Sequence, residues 1–524
     1  MRIVITNPDS IGDVLLRQPL FAALAAEGHE LLLVLRSELS ALAPLVAPAT
    51  SVVLCSSNPY DPRFSGDAGR IDTVLSRIEA FHPDLIAVAP YQRTLLDERI
   101  VERFPATRSI ALDGFLYPGD ISVGLNETSA VTFGQLVPAA RDDHELRKAE
   151  LLCGAILGRS VDLPAPRIRP SQAAGERALE RLRRLGLEPG GYWIACVGHN
   201  QWTPVRNWRP EDWAHALAEV AEKHKLPLLF IGTPDEAAAT DEIRRRMGSA
   251  AGKTASLCER PEDLDTLAAL IDAGGGYIGK DTGPMHLAAA LGKPVVALFG
   301  GGTWPRFIPR AETGAALTVS VPCSGCGWVC HLSESHCVKR VPVTTLVEEV
   351  GRVLAGEPGF RVIAPEVDNV LLHRMVAESA EVARNRMREA AAQRAAATEC
   401  RERAEILERR AGELARLLKI ADDRLLETEY KRENLEGESK SVRSESERLR
   451  ELLALLKKDH VKLTKKWEDL SAEVPRLEGA LAELQQHHDE LDRKYQSASA
   501  LLDAVRQSIF TKLLRKAGIW RVFD

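Results

Sequence analysis

The chain has 524 residues, of which 45% are apolar and 27% charged, with a formal net charge of -6. This length predicts about two to four domains with buried cores, and the small net charge argues against a nucleic-acid partner. The first residues, MRIVITNP, run into a strand pattern rather than a secretory signal. No apolar run reaches about 18 residues, the length that a membrane helix requires. We therefore expect a cytoplasmic protein.

Up to about residue 360 the chain alternates short apolar runs with segments of helical spacing. A Pro-rich stretch at 163–170 separates two such units, which we assign to residues 1–165 and 166–360. This alternation predicts an α/β fold, with two Rossmann-like domains facing a cleft and ligands at the carboxyl ends of the strands. The predicted strands are 2–6, 30–35, 84–89, 192–197, 226–231, 276–278 and 294–299.

The composition changes near residue 365, where Ala, Glu, Arg, Lys and Leu begin to dominate. From Trp467 to Ile509, apolar residues repeat at spacings of three and four, which is typical of a coiled-coil seam. A weaker series from Leu435 to Leu463 is offset from the first by one residue, which predicts a register break near 463–467. We expect Pro475 to kink or interrupt the helix. Residues 366–508 are therefore predicted to form a segmented coiled coil. Its apolar seam pairs either with the same segment of another chain, which we favour, or with residues 371–463 folded back across Pro475.

Two further stretches of this region leave alternatives open. Residues 370–430 are Ala/Arg-rich and less regular, so a solvated single helix or a linker is an alternative there. The tail at 509–524 is amphipathic and basic. It suits an interfacial helix on an anionic membrane, or a capping end of the coil that packs on a partner.

The most informative stretch is GKDTGPMHLAAALGKPVVALFGGGTWPRFIP, residues 279–309. Pro284 suits the first position of a helix, and Gly292 suits its end, so a helix is predicted between a strand and the next strand. Asp281, Thr282 and Gly283 then lie at the helix N-terminus, where unpaired N–H groups favour an anion such as a diphosphate. An ordinary capped β-α-β unit explains the same residues equally well.

This run resembles the signature of glycosyltransferase family 9, the heptosyltransferase family. SIGDVLLRQP at 10–19 resembles the family's N-terminal loop and helix, and VRNWRPEDW at 205–213 resembles a segment that usually carries lysine where this chain has Arg206. The matches span residues 1–360 in the expected order. The resemblance implies a GT-B fold and an inverting transfer of a sugar from a nucleotide-diphosphate donor, with an ADP-linked heptose favoured. The implied acceptor is a glycan, a lipid-linked molecule or a protein. Lipopolysaccharide biosynthesis is the process that the resemblance suggests.

The resemblance also implies roles for individual residues. Asp13 corresponds to the general base that removes a proton from the acceptor hydroxyl, although a simple helix N-cap is the alternative. Arg206 would neutralise the leaving diphosphate, so no catalytic metal is expected. The donor-binding candidates are Asp281, Thr282, Gly283, His286, Arg206, His199, Asn200 and Thr203.

Four of the nine cysteines are clustered as C-x2-C-x3-C-x6-C. Four thiolates within 15 residues can close a tetrahedral site, so we expect a structural zinc or iron, with His331 and His336 as alternative ligands. Redox chemistry and unligated thiols remain open. The four residues are Cys323, Cys326, Cys330 and Cys337.

Two other functions compete with the transferase. A GT-B nucleotide-sugar epimerase would need a different donor-site signature. A non-catalytic, transferase-like scaffold assembled by the coiled coil would not need Asp13, Asp281 and the helix N-terminus, all of which are present. We therefore expect an active glycosyltransferase in the cytoplasm. Peripheral contact with the inner face of the membrane is the expectation if the tail is an interfacial helix.

Overall fold

The computed structural model describes residues 1–48, 50–61, 68–116, 131–199, 204–326, 330–430 and 438–516. The strands are β1 Arg2–Thr6, β2 Glu30–Arg36, β3 Ser51–Cys55, β4 Leu85–Val88, β5 Gln92–Arg93, β6 Arg108–Leu112, β7 Phe115–Leu116, β8 Gln135–Val137, β9 Trp193–Cys196, β10 Leu228–Phe230, β11 Thr254–Ser256, β12 Gly276–Lys280, β13 Val295–Leu298, β14 Thr313–Leu317 and β15 Gly359–Ile363. The helices are α1 Ile11–Ala26, α2 Ala43–Val46, α3 Ala68–Phe81, α4 Leu95–Arg103, α5 Glu145–Leu157, α6 Gln172–Leu185, α7 Pro210–Lys223, α8 Ala237–Arg246, α9 Leu264–Ala273, α10 Gly283–Ala290, α11 His336–Lys339, α12 Val343–Leu354, α13 Asn369–Tyr430 and α14 Glu438–Lys516.

The first sheet is built around β1. In the described part of the chain its order is β3-β2-β1-β4-β6-β8, and every neighbouring pair is parallel. Ile3, Val4 and Ile5 are fully buried. A parallel strand covered on both faces needs apolar side chains in both directions, which is why β1 is a continuous apolar run rather than an alternating one.

The second sheet repeats this plan around β9 and β12. Its order among the described strands is β11-β10-β9-β12-β13-β14-β15, again parallel throughout. All seven strands predicted from apolar runs are present in the two sheets. The edge strand β15 is mostly exposed and therefore has no apolar run that could have predicted it. The predicted α/β fold with two parallel, Rossmann-like sheets is confirmed.

The chain divides into two compact units. One contains Met1–Glu378 together with the chain from Asp489 onward, and the other is Ser379–His488. Among the described helices, none is both long and apolar enough to span a bilayer.

The unit Ser379–His488 is a pair of antiparallel helices formed by parts of α13 and α14. Asp422 pairs with Arg450 at 2.9 Å, and Arg394 pairs with Glu478 farther along the same two helices. Residues 431–437, which connect the helices, lie outside the described residues. The fold-back that the sequence left as an alternative is thus present within one chain. The chain reverses direction between α13 and α14, however, and not at Pro475. Self-association stays a prediction.

The helix is continuous through Pro475, so the expected interruption is wrong, and a kink at this residue stays a prediction. Proline in a helix interior costs about 3 kcal/mol or more. Pro475 itself is exposed, whereas Val474 and Leu477 beside it are half-buried on the inward face of the helix.

The predicted register break near 463–467 is also wrong. In the structure Leu453 faces inward, and Leu452 of the predicted series is exposed. With Leu453 in that place, the inward residues of α14 keep spacings of three and four without a break. The Ala-rich α13 is equally regular, with an inward series from Ser379 to Leu425. The inward residues of α14 are Val442, Ser446, Leu449, Leu453, Leu456, His460, Leu463, Trp467, Leu470 and Val474. The side chains of residues 481, 484, 485, 487, 488, 491, 492, 494 and 495, and all from residue 498 onward, lie outside the described set, as does the tail at 517–524. The predicted seam beyond Leu477 falls largely on these residues.

Candidate active site

Asp13 lies in the first turn of α1, immediately after the carboxyl end of β1. Ser10, in an extended conformation, occupies the N-cap position, and its hydroxyl donates to Asp13 Oδ2 at 2.6 Å. Asp13 is therefore not the N-cap that was the alternative to a catalytic role. The positive end of the α1 dipole favours a carboxylate at this position.

The loop after β12 leads into α10 as the sequence predicts, with one residue of difference. Thr282 is the N-cap, Gly283 begins the helix and Pro284 follows. The Thr282 hydroxyl donates to the Lys280 carbonyl oxygen at 3.3 Å, and within the described structure it forms no side-chain cap. Pro284 has no N–H, and the Met285 N–H donates to the Thr282 carbonyl oxygen at 3.1 Å. Among the described residues, the N–H groups that the start of α10 can offer an anion are therefore those of Thr282 and Gly283.

The first turns of α1 and α10 pack directly against each other, and this approach requires two glycines. A Cβ on Gly12 would lie 2.7 Å from His286 Cδ2, and a Cβ on Gly283 would lie 2.8 Å from Ile11 Cβ. Any larger residue at either position would separate the two helices. This contact brings Asp13 next to the predicted diphosphate loop.

His286 lies at this junction and is almost completely buried. Its ring packs edge-on against Phe307, with centroids 6.2 Å apart. Burial lowers the pKa of His286, although Asp281 and Asp13 act in the opposite direction. The imidazole is therefore neutral at pH 7, and its Nε2 makes no hydrogen bond to the residues that the structure describes.

Arg206 and Asp281 are held together beside the α10 N-terminus. Arg206 Nη1 donates to the Asp281 carbonyl oxygen at 2.8 Å, and its Nε lies 3.8 Å from the Asp281 carboxylate. The Thr303 hydroxyl also donates to that carboxylate. Burial lowers the pKa of Arg206, while the negative charges of Asp281 and Asp13 raise it. Asp281 thus organises the loop, and its contact with a donor sugar remains a prediction.

His199 lies after β9, and its ring supports the turn that carries Arg206. The Nε2 of His199 is 3.0 Å from the carbonyl oxygen of Trp208, and burial lowers the pKa of the imidazole. The structure therefore gives His199 a contact within the protein. The neighbouring candidates Asn200 and Thr203 lie outside the described residues.

A buried ionic network behind Asp13 was not predicted from the sequence. Arg17, four residues after Asp13 in α1, lies 4.0 Å from its carboxylate and 3.2 Å from Glu145 Oε2, and it also pairs with Asp9. Glu145 accepts further bonds from Lys148 at 2.9 Å and from Arg306 at 2.7 Å. Arg306 follows β13 of the second sheet, so the network links the two sheets.

The positive charges around Glu145 keep its carboxylate ionised. Burial by itself raises the pKa of Glu145, but Arg306, Lys148 and Arg17 together lower it to about 2. The spacing of Asp13 and Arg17 on one helix face was visible in the sequence. The pairing of Glu145 with Arg306 was not, because 161 residues separate them.

Lys280, which precedes the predicted donor loop, does not reach the junction of the two helices. Its ammonium is buried and donates to Glu236 Oε1 at 2.8 Å and to the Gly198 carbonyl oxygen. Gly198 and Glu236 follow β9 and β10, so Lys280 ties together the carboxyl ends of three neighbouring strands.

The four clustered cysteines line one cavity of about 10 Å³, together with His336 and Met375. The Gly301 N–H donates to Cys337 Sγ at 3.0 Å. No three His, Cys, Asp or Glu side chains in the described part of the chain are arranged as a metal-ligand set. Four thiols that share one cavity have the donor chemistry that suits a zinc or iron ion. Their geometry in the described structure, however, is not that of an assembled ligand set.

Two parallel Rossmann-like sheets, with a carboxylate beside one and the N-terminus of α10 beside the other, are typical of GT-B glycosyltransferases. Residues 128–339 match the family model for glycosyltransferase family 9 (heptosyltransferase). This region of the chain is therefore similar to glycosyltransferase family 9, and the chain is a glycosyltransferase.

Individual relatives agree with this assignment. Lipopolysaccharide heptosyltransferase 1 of Pseudomonas aeruginosa is 23% identical over 341 residues, which covers 62% of this chain and 86% of that protein. ADP-heptose lipopolysaccharide heptosyltransferase II of E. coli superposes with a TM-score of 0.52 at 17% identity, covering 68% of this chain and 99% of that one. The family 9 glycosyltransferase of Veillonella parvula gives a TM-score of 0.55 at 16% identity, with coverages of 68% and 98%. The predicted GT-B fold is confirmed.

Proposed function

We propose that this chain is an inverting glycosyltransferase that moves a sugar, with a heptose favoured, from an ADP-linked donor to a glycan or lipid-linked acceptor. The residue assignments and the two domains, an acceptor-side domain at 1–165 and a donor domain at 166–360, belong to this proposal. The observation that carries it is the contact between the first turns of α1 and α10. Asp13 and the diphosphate loop adjoin each other there because Gly12 and Gly283 lack side chains.

The reaction follows from the charges at this junction. Asp13 removes the proton from an acceptor hydroxyl while the hydroxyl oxygen attacks the anomeric carbon on the face opposite the diphosphate. The bond between the anomeric carbon and the diphosphate oxygen breaks, and its electron pair leaves with the diphosphate. The α10 N-terminus and Arg206 stabilise the negative charge that develops there, so no metal ion takes part in the step.

Each remaining donor candidate has a defined place in this proposal. Thr282 and Gly283 offer backbone N–H groups to the phosphates, and the unpaired Nε2 of His286 is available to a phosphate or sugar oxygen. Asp281, fixed by Arg206 and Thr303, sets the loop conformation and accepts from donor sugar hydroxyls. Asn200 and Thr203, which lie outside the described residues, stay donor-binding candidates.

The names of the relatives favour the choice of donor and acceptor. The E. coli relative is described as an ADP-heptose lipopolysaccharide heptosyltransferase, and the Pseudomonas relative as a lipopolysaccharide heptosyltransferase. An acceptor of this kind is lipid-linked, so we place the reaction in the cytoplasm at the inner face of the membrane. The basic tail at 509–524 would contribute the peripheral contact.

The four cysteines add a structural proposal to this function. We assign them a zinc or iron ion, because four thiols share one cavity and thiolates select these metals. Val205 and Gly301 also line the cavity, so an ion there would brace the turn that carries Arg206. No step of the transfer uses this ion.

The proposal is tested by comparing Asp13→Asn with the wild type. Loss of the general base should lower the transfer rate by roughly 10²–10⁴-fold. Binding of ADP, measured by calorimetry, should change little, because Asp13 faces the acceptor. Arg206→Ala serves as the converse variant, in which ADP binding is weakened.

Two results would contradict the proposal. An Asp13→Asn enzyme with the wild-type transfer rate would remove the catalytic assignment. Absence of transfer from every ADP-, UDP- and GDP-linked sugar, with nucleotide still bound, would instead favour the scaffold alternative. Release of a 2-epimerised sugar would favour the epimerase.

A further inference from the structure

The helical hairpin of unit Ser379–His488 has two flanks with different chemistry. In heptad terms the inward residues of each helix occupy positions a and d, and positions e and g lie on either side of them. Asp422 and Arg450 both occupy e positions, as do Arg394 and Glu478. Both ion pairs therefore lie on one flank, and the g positions of the two helices must lie together on the other.

This second flank is apolar at its centre. Leu417 and Leu452 occupy g positions, and Ile420 and Leu455 occupy the adjoining c positions. The contact between Asp422 and Arg450 places all four within about two turns of each other along the hairpin. Their exposed fractions are 48%, 48%, 49% and 62% in the order named, so the hairpin seam leaves this surface uncovered.

Charges border the apolar centre in a self-complementary pattern. On α13 the neighbouring g positions are Arg410 and Arg424, and on α14 they are Asp459 and Glu445. Arg410 is level with Asp459, and Arg424 is level with Glu445, in the antiparallel pair. A second hairpin related by a two-fold axis along the helices would bring its α14 against this α13. It would therefore bring leucine onto leucine and acidic side chains onto basic ones.

We propose that this flank, consisting of Leu417, Ile420, Leu452 and Leu455, binds the same flank of a second copy of the chain. The resulting dimer contains an antiparallel four-helix bundle. Contiguous apolar surface on a hairpin is stabilised when another helix pair covers it. The flank lies outside the sheets that carry Asp13 and the donor loop, so the proposal does not depend on the proposed reaction.

The test is sedimentation velocity on the full-length protein over a range of concentrations. The wild type should sediment as a dimer, and Leu417→Glu with Leu455→Glu should shift it toward monomer by at least tenfold in the dissociation constant. The matched control is Leu426→Glu with Val461→Glu. Those two residues are exposed on the same helices, each at 64%, but occupy b positions away from the flank. Circular dichroism of all three proteins checks that the hairpin remains helical.

Three outcomes would overturn the proposal. A wild type that stays monomeric at high concentration excludes the dimer. A flank variant that associates as strongly as the control assigns association to another surface. Monomeric wild type that binds anionic vesicles, with binding lost in the flank variant alone, assigns the flank to a membrane.

Discussion

Replacement of Gly12 by alanine tests the contact on which the active-site assignment depends. The new Cβ would lie 2.7 Å from His286 Cδ2, about 1 Å closer than an ordinary carbon–carbon contact. The His286 ring is buried against Phe307 and cannot easily move aside. The first turns of α1 and α10 must therefore separate.

Two effects of opposite sign determine how much Gly12→Ala changes the free energy of unfolding. Alanine is favoured over glycine in a helix by about 1 kcal/mol. Overpacking of a buried contact costs about 1–3 kcal/mol, so the net loss of stability should be about 0–2 kcal/mol. The loss of activity should be larger, because a displacement of about 1 Å at a reacting centre can lower a rate on the order of 10²-fold.

Gly175→Ala in α6 is the matched control. It lies in the first turns of a helix, as Gly12 does, but a Cβ there meets no atom within 4 Å. This variant should gain up to about 1 kcal/mol and keep full activity. Chemical denaturation and sugar-transfer assays on both variants make the comparison. A Gly12→Ala enzyme that matches the control in both measurements would refute the close approach of the two helices.

Three further predictions concern the ionic network, the cysteines and the extent of the transferase unit. Glu145→Gln should lower the free energy of unfolding by about 3–5 kcal/mol at pH 7, since the buried Lys148 and Arg306 lose their counter-charge and Arg17 keeps only Asp9 and Asp13. Because the pKa of Glu145 is lowered from 4.5 to about 2, this difference should be constant above about pH 4.5 and shrink toward pH 2, and a pH-independent difference would contradict the assignment. Purified protein should carry close to one zinc or iron per chain by elemental analysis. The double variant Cys323→Ser with Cys326→Ser should lower both the metal content and the melting temperature. Metal-free protein from a chelator-free preparation would rule the site out. Residues 1–378 should fold and bind ADP without the hairpin, because Met375 is buried in the core of the second sheet, whereas a cut at 360 passes through β15. Circular dichroism and light scattering on the 1–378 fragment check this, and an unfolded or aggregated fragment would count against the boundary.

Local patterns in the sequence were sufficient for the class of fold and for the main functional loop. Buried parallel strands are apolar on both faces, so each predicted strand stood out as a continuous run. Pro284 and Gly292 bracket α10 because their backbone preferences act locally, and this placed Asp281, Thr282 and Gly283 at a helix N-terminus. Edge strands such as β15, which bury little, lacked this signal.

The tertiary structure alone decided which distant residues meet. The contact of Gly12 with His286, and of Glu145 with Arg306, joins side chains whose separation in sequence has no periodicity to detect. The same holds for the hairpin, where Leu452 and Leu453 are chemically equivalent in sequence. Only packing against α13 turns Leu453 inward and leaves Leu452 on the exposed flank, because a helix face is defined by the surface that covers it.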